Sequence, residues 1–130
     1  MHAATRRGAT QFFMATAVME AALGLVLLVT PTLVITLLLA GPAAHTDVAF
    51  GRLAGAALLS LGTACWWARA DTGGTASRAL VAGMSVYNAT VIAVVLTGSF
   101  GPLGRPILWA VTLLHGAMAA WCVSLLRSAR

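Results

Sequence analysis

Polar residues are so sparse along this chain that they punctuate it. Four apolar stretches, about 11–40, 48–69, 77–98 and 104–127, are separated by "GPAAHTD" (41–47), "DTGGTAS" (71–77) and "GSFGPLGRP" (98–106). Each stretch reaches or exceeds the roughly 20 residues that a helix needs to cross a bilayer. Pro31 divides the first after Thr30, which predicts a kink or a tilted continuation rather than one straight rod. Because the connections are short, neighbouring helices should lie side by side in opposite directions. The pattern predicts an all-α fold: an integral membrane four-helix bundle, up-down-up-down, forming a single domain over residues 1–130.

Composition sharpens that reading and removes the soluble classes. Apolar residues make up 60% of the chain and charged ones 8%, against about 45–50% and about 25% in average soluble domains; the mean hydropathy is +0.93. The net charge of +5 comes from arginines alone. Most of them flank apolar runs instead of forming a basic stripe with interleaved aromatics, so nucleic acid is not an expected partner and the lipid bilayer is. Arg6 and Arg7, an apolar run and the small residues "AGPAA" (40–44) imitate a secretory signal. The run from Phe12 to Ala40 is, however, far longer than the roughly 7–15 residues of a signal core, and it reads as a span.

Basic residues are retained on the cytoplasmic side of a membrane. With four spans, Arg6, Arg7, Arg69, Arg78, Arg127 and Arg130 share one side, while Arg105 and Arg52 fall on the other. Both termini are therefore expected in the cytoplasm, in a multi-pass protein of the bacterial inner (cytoplasmic) membrane. Trp66, Trp67 and Trp121 then sit near the cytoplasmic interface and Trp109 near the opposite one, as an aromatic belt requires.

Against this background a single carboxylate, Glu20, stands out in "MATAVMEAALGLVLLV" (14–29). Counting about 1.5 Å per residue from the helix ends, Glu20 lies roughly 13 Å in from Gln11, Asn88 roughly 16 Å in from Ser77 and His115 roughly 18 Å in from Arg127. Three polar side chains on three helices thus come to one level, with Tyr87, Ser85 and Thr112 nearby. Ionisable groups in hydrocarbon cost at least about 2.5–3.5 kcal/mol each, so they turn inward and find partners. Two states are open: a neutral glutamic acid, or a glutamate paired with an imidazolium. Two roles are open as well: hydrogen-bonding glue between helices, or a site for a proton, a ligand or a substrate.

Other residues carry their own alternatives. Arg52, one turn inside its span, either snorkels to the headgroups, where Asp47 can pair with it, or turns inward to bind an anionic group. His115 is the one histidine inside a span; a haem held by two histidines needs another, and His2 and His45 lie outside. A single axial ligand would suit a chlorin or a five-coordinate haem, with Gly116, Ala117, Ala119 and Ala120 leaving room; close helix packing asks for the same small residues. No partner at i+3 or i+4 completes a zinc pair, and no metal site is expected. Cys65 and Cys122 read as buried small hydrophobes at matching depth. Gly51 and Gly55 form a G-x-x-x-G, extended by Ala56, Ser60 and Ala64, and span four repeats the theme at Thr112, Gly116 and Ala119 or Ala120; such ridges let helices approach closely.

"GRLAGAALLSLGTACWWARAD" (51–71), "RALVAGMSVYN" (78–88) and "LLHGAMAAW" (113–121), after a first span ending "LLVTPTLVITLLLAGP", resemble a group of small bacterial four-span proteins without an assigned activity. The resemblance implies a compact four-helix membrane protein and brings no catalytic residues with it. Similarity to DoxX-like proteins is architectural.

Three functional readings follow. The minimal loops and small-residue ridges suit an accessory subunit that packs against a larger membrane complex or against itself. The Glu20, Asn88 and His115 level suits a small membrane enzyme or binding protein for an apolar, quinone-like ligand, with Tyr87 as a wall or donor. Glu20 alone suits a dimeric proton-coupled transporter.

Overall fold

A computed structural model describes residues 3–39, 44–98 and 105–128. Five helices follow one another: α1 (Ala3–Val29), α2 (Pro31–Leu39), α3 (His45–Ala68), α4 (Thr75–Thr97) and α5 (Arg105–Ser128). No strand occurs among the described residues. Helices α1, α3, α4 and α5 are each long and apolar enough to cross a membrane. The first helix begins at Ala3, ahead of the apolar stretch, so Arg6 and Arg7 ride on its opening turns.

The first apolar stretch is two helices because proline has no N–H to donate and its ring crowds the preceding turn. The break at Thr30 leaves little unsatisfied. Its N–H donates to the Val26 carbonyl at 2.8 Å and its hydroxyl to the same oxygen at 3.2 Å, while the Leu33 N–H returns to the Thr30 carbonyl at 3.1 Å. Helix α3 starts where the Asp47 carboxylate accepts the Ala44 N–H at 2.9 Å, a favourable place for an acid at the positive end of the helix. Asp47 thus serves its own helix end, and Arg52 is exposed.

Among the described helices, α1 and α3 form the closest pair. A Cβ placed on Gly24 would lie 2.8 Å from both the Gly55 carbonyl oxygen and the Leu59 nitrogen; one placed on Gly55 would lie 2.7 Å from the Gly24 carbonyl oxygen. A Cβ on Gly62 would come within 3.0 Å of the Ala17 oxygen and the Ala21 nitrogen, and one on Gly51 within 3.0 Å of Pro31. Backbone therefore touches backbone along the seam, the geometry that small residues make possible between spanning helices.

The seam differs from the expected ridge. On α3 it runs through Gly51, Gly55, Leu59 and Gly62, whereas Ala56, Ser60 and Ala64 are exposed. Ala56 and Ser60 each follow a seam residue, Gly55 and Leu59, and one residue turns a helix by about 100°, which carries them off the contact. Ser60 turns its hydroxyl to the Ala56 carbonyl of its own helix at 2.8 Å. Gly116 does not mark a crossing either: a Cβ there would meet nothing within 4 Å.

Helices α4 and α5 form the second pair, and the two pairs meet mainly at one end. There Ala9, Phe12, Phe13 and Ala17 of α1 pack with Cys65, with Val81 and Met84 of α4, and with Met118, Cys122 and Leu125 of α5. Phe12 stands edge-on to Phe13 and to Trp121, ring centres 5.6 Å apart in each case. Both cysteines are free and fully buried in this core. The outer surface carries Val18, Leu53, Trp67, Val86, Leu96 and Leu113, all exposed; so apolar a surface is unfavourable in water and ordinary in hydrocarbon.

Candidate functional site

Just beyond the core, α1, α4 and α5 bring their polar side chains together. Glu20 and Asn88 are 6% and 1% exposed, and Tyr87 and His115 are half-buried beside them. The Tyr87 hydroxyl donates to Glu20 Oε2 at 3.3 Å. The Tyr87 ring also stands edge-on to the His115 imidazole, centroid to centroid 5.6 Å and interplanar angle 77°. His115 Nδ1 lies 2.7 Å from Asn88 Oδ1. Residues from three helices thus form one connected group, with Tyr87 as the link between the carboxylate and the imidazole.

The orientation of Asn88 decides the tautomer of His115. Asn88 Nδ2 donates to the Met84 carbonyl at 2.7 Å, one turn back on the same helix. Its other atom, Oδ1, is then the acceptor that faces the ring, and Nδ1 of His115 must carry the proton. Nε2 is left as the ring atom available to a ligand.

Thr16, one turn before Glu20, is 1% exposed, and its hydroxyl has no hydrogen-bond partner among the described residues. A buried hydroxyl without a partner is an unmet demand at a polar site. The signal that the sequence carries for Thr16 is its i−4 spacing from Glu20. Thr112 stays on its own helix, donating to the Leu108 carbonyl at 2.8 Å.

Arg52 is not part of this group. It follows Gly51, whose Cβ position faces Pro31 and Ile35, so it lies toward the far end of α3, and it is exposed. Two pockets formed by described residues lie elsewhere as well. A small one sits between Thr5, Ala9, Arg78 and Leu125; a shallow groove of about 320 Å³ opens on the outside of the α1–α3 seam.

Chemically, the group offers an acid or its carboxylate, a phenol, an imidazole with one free nitrogen and an amide that fixes it. Those are the parts of a site that receives hydrogen-bonding groups or passes a proton between them. α5 is open at the residue next to His115, since nothing would meet a side chain at Gly116. Among the described residues no set of three or more His, Cys, Asp or Glu side chains converges as a metal site would. Compared with protein-family models, with curated proteins and with solved structures, the chain finds no match.

Proposed function

We propose that this chain is a small multi-pass protein of the bacterial cytoplasmic membrane, an up-down-up-down bundle with its arginine-rich end and both termini inside the cell. Within it, Glu20, Tyr87, His115 and Asn88 bind an apolar molecule that carries hydrogen-bonding oxygens, of the quinone type. The observation that supports this is the link from Glu20 through Tyr87 to His115. Three helices converge on a chain of titratable and donor groups, one of whose members keeps a free ring nitrogen. Simple helix glue needs one amide or hydroxyl per crossing; it does not need an acid, a phenol and an imidazole in series.

In this reading His115 Nε2 and the Glu20 carboxyl take the two oxygens of the ligand, Asn88 holds the imidazole in one tautomer, and Tyr87 forms the wall between them. Binding of a decyl-tailed benzoquinone to the full chain in detergent, followed by tryptophan quenching, tests it. Saturable binding that weakens about tenfold in Glu20→Gln and in His115→Ala, a loss of roughly 1.4 kcal/mol each, is expected. Binding that neither substitution changes overturns the assignment.

A second reading, an accessory subunit, is favoured by the outward ridge of Ala56, Ser60 and Ala64, three small exposed residues four apart on α3. Such a ridge is suited to another membrane helix, from a larger complex or a second copy. Ser60→Leu should release a co-purifying chain or convert a dimer to monomer in gentle detergent; an unchanged mass removes this reading.

A further inference from the structure

The groove outside the α1–α3 seam is lined by Ala17, Val18, Ala21, Gly62, Thr63 and Trp66. It exists because Ala17 and Ala21 meet Gly62 backbone to backbone, leaving no side chain to fill the outer side of the crossing. Thr63 turns its hydroxyl inward to the Leu59 carbonyl at 2.8 Å, so the wall it presents is its methyl group. The lining of the groove is apolar.

Its one end is different. Trp66 is the lining residue nearest the end of α3, and the Arg69 guanidinium lies over the Trp66 ring, 3.6 Å from its centre. One arm of that guanidinium donates to the Trp66 carbonyl; a guanidinium has five N–H donors in a planar fork, so others are free. The Thr10 hydroxyl donates to the Arg69 carbonyl at 3.4 Å, which fixes this end of α3 level with Thr10 of α1. Arg7 is exposed; it lies one turn farther out from Thr10 and three turns before Val18, hence on the same face of α1 as the groove. An apolar channel therefore leads to a cation held by stacking at an aromatic residue, with a second cation beyond.

We propose that this groove seats an acyl chain of an anionic phospholipid, whose phosphate is bound by Arg69 with Arg7 adding charge from the next turn. Apolar chain meets apolar groove, and the phosphate meets the guanidinium at the depth where a tryptophan marks the membrane interface. Arginine suits a phosphate better than lysine because two of its N–H groups can reach two oxygens at once. The site is separate from the Glu20 group and shares with it only the membrane setting.

The test uses the full chain in detergent, with dioleoyl phosphatidylglycerol and dioleoyl phosphatidylcholine as probes, read by native mass spectrometry and by the thermal unfolding midpoint. The wild type should retain the glycerol lipid about tenfold better than the choline lipid and gain more stability from it. Arg69→Gln should lower retention of the anionic lipid to the level of the zwitterionic one. Val18→Phe, an exposed position that fills the groove from outside, should reduce retention of both lipids while leaving the midpoint without lipid unchanged. Arg127→Gln, a cation on the last turn of α5, should keep the wild-type preference. Equal retention of the two lipids by the wild type, or a loss in Arg127→Gln as large as in Arg69→Gln, overturns the proposal. The second result would show only a general attraction between a basic surface and acidic lipid.

Discussion

Asn88 Oδ1 stands 2.7 Å from Nδ1 of His115, and the Asn88 amide nitrogen is already committed to the Met84 carbonyl at the same distance. One amide thereby ties α4 to α5 and chooses which imidazole nitrogen holds the proton. In ¹⁵N spectra of the labelled protein His115 should show a protonated Nδ1 and an unprotonated Nε2. The reverse tautomer would contradict the orientation of Asn88.

Removal of that amide should cost stability and loosen the ring. Asn88→Leu is expected to destabilise the bundle by about 1–2 kcal/mol, near the upper end for hydrogen bonds between spanning helices. Asn88→Leu and His115→Ala combined should cost less than the sum of the two, because they break the same contact. Unfolding in a graded denaturing detergent measures both; strict additivity would mean that the two side chains do not act as a pair.

Tyr87→Phe removes the hydroxyl from Glu20 and keeps the ring beside His115. The expected loss is about 0.5–1 kcal/mol, with a shift of the Glu20 carboxyl band in infrared difference spectra. The band should be absent in Glu20→Gln. A band that stays in place in Tyr87→Phe would show that the phenol and the acid are not bonded.

The α1–α3 seam predicts a sharp contrast among glycines. Gly24→Ala and Gly55→Ala each force a methyl group into opposing backbone and should cost about 1–3 kcal/mol. Gly116→Ala points its methyl into open space and should be neutral or stabilising by up to about 1 kcal/mol through helix propensity. Thermal unfolding of the three variants in one detergent decides it; equal behaviour of all three would remove the close approach at Gly24 and Gly55.

How much of this was readable beforehand depends on which geometric quantity each feature needs. The four long helices follow from run length, and the break at Thr30 from the chemistry of Pro31. The common level of Glu20, Asn88 and His115 depends only on the rise per residue, which is fixed, so it can be counted from the helix ends. Which side chain links them depends on helix rotation and on which helices are neighbours, and neither is written in periodicity when all faces are apolar. Tyr87 as the link, and Thr16 as a buried hydroxyl without a partner, emerge only from the packing. The same limit explains the small residues: a ridge of Ala56, Ser60 and Ala64 looks equivalent in sequence to the seam of Gly55, Leu59 and Gly62, and only the rotation of α3 about its axis separates them.

Because α1 grips α3 while α4 grips α5, the molecule is divisible at the "DTGGT" turn in a way that bears on its biogenesis. The earlier helices have their main partners among themselves before the later ones emerge from the ribosome, and the later ones arrive as a ready-made couple. Two separately synthesised halves, cut after Asp71, should therefore associate when combined and rebuild the Glu20 to His115 link. Each half alone would carry only one side of it.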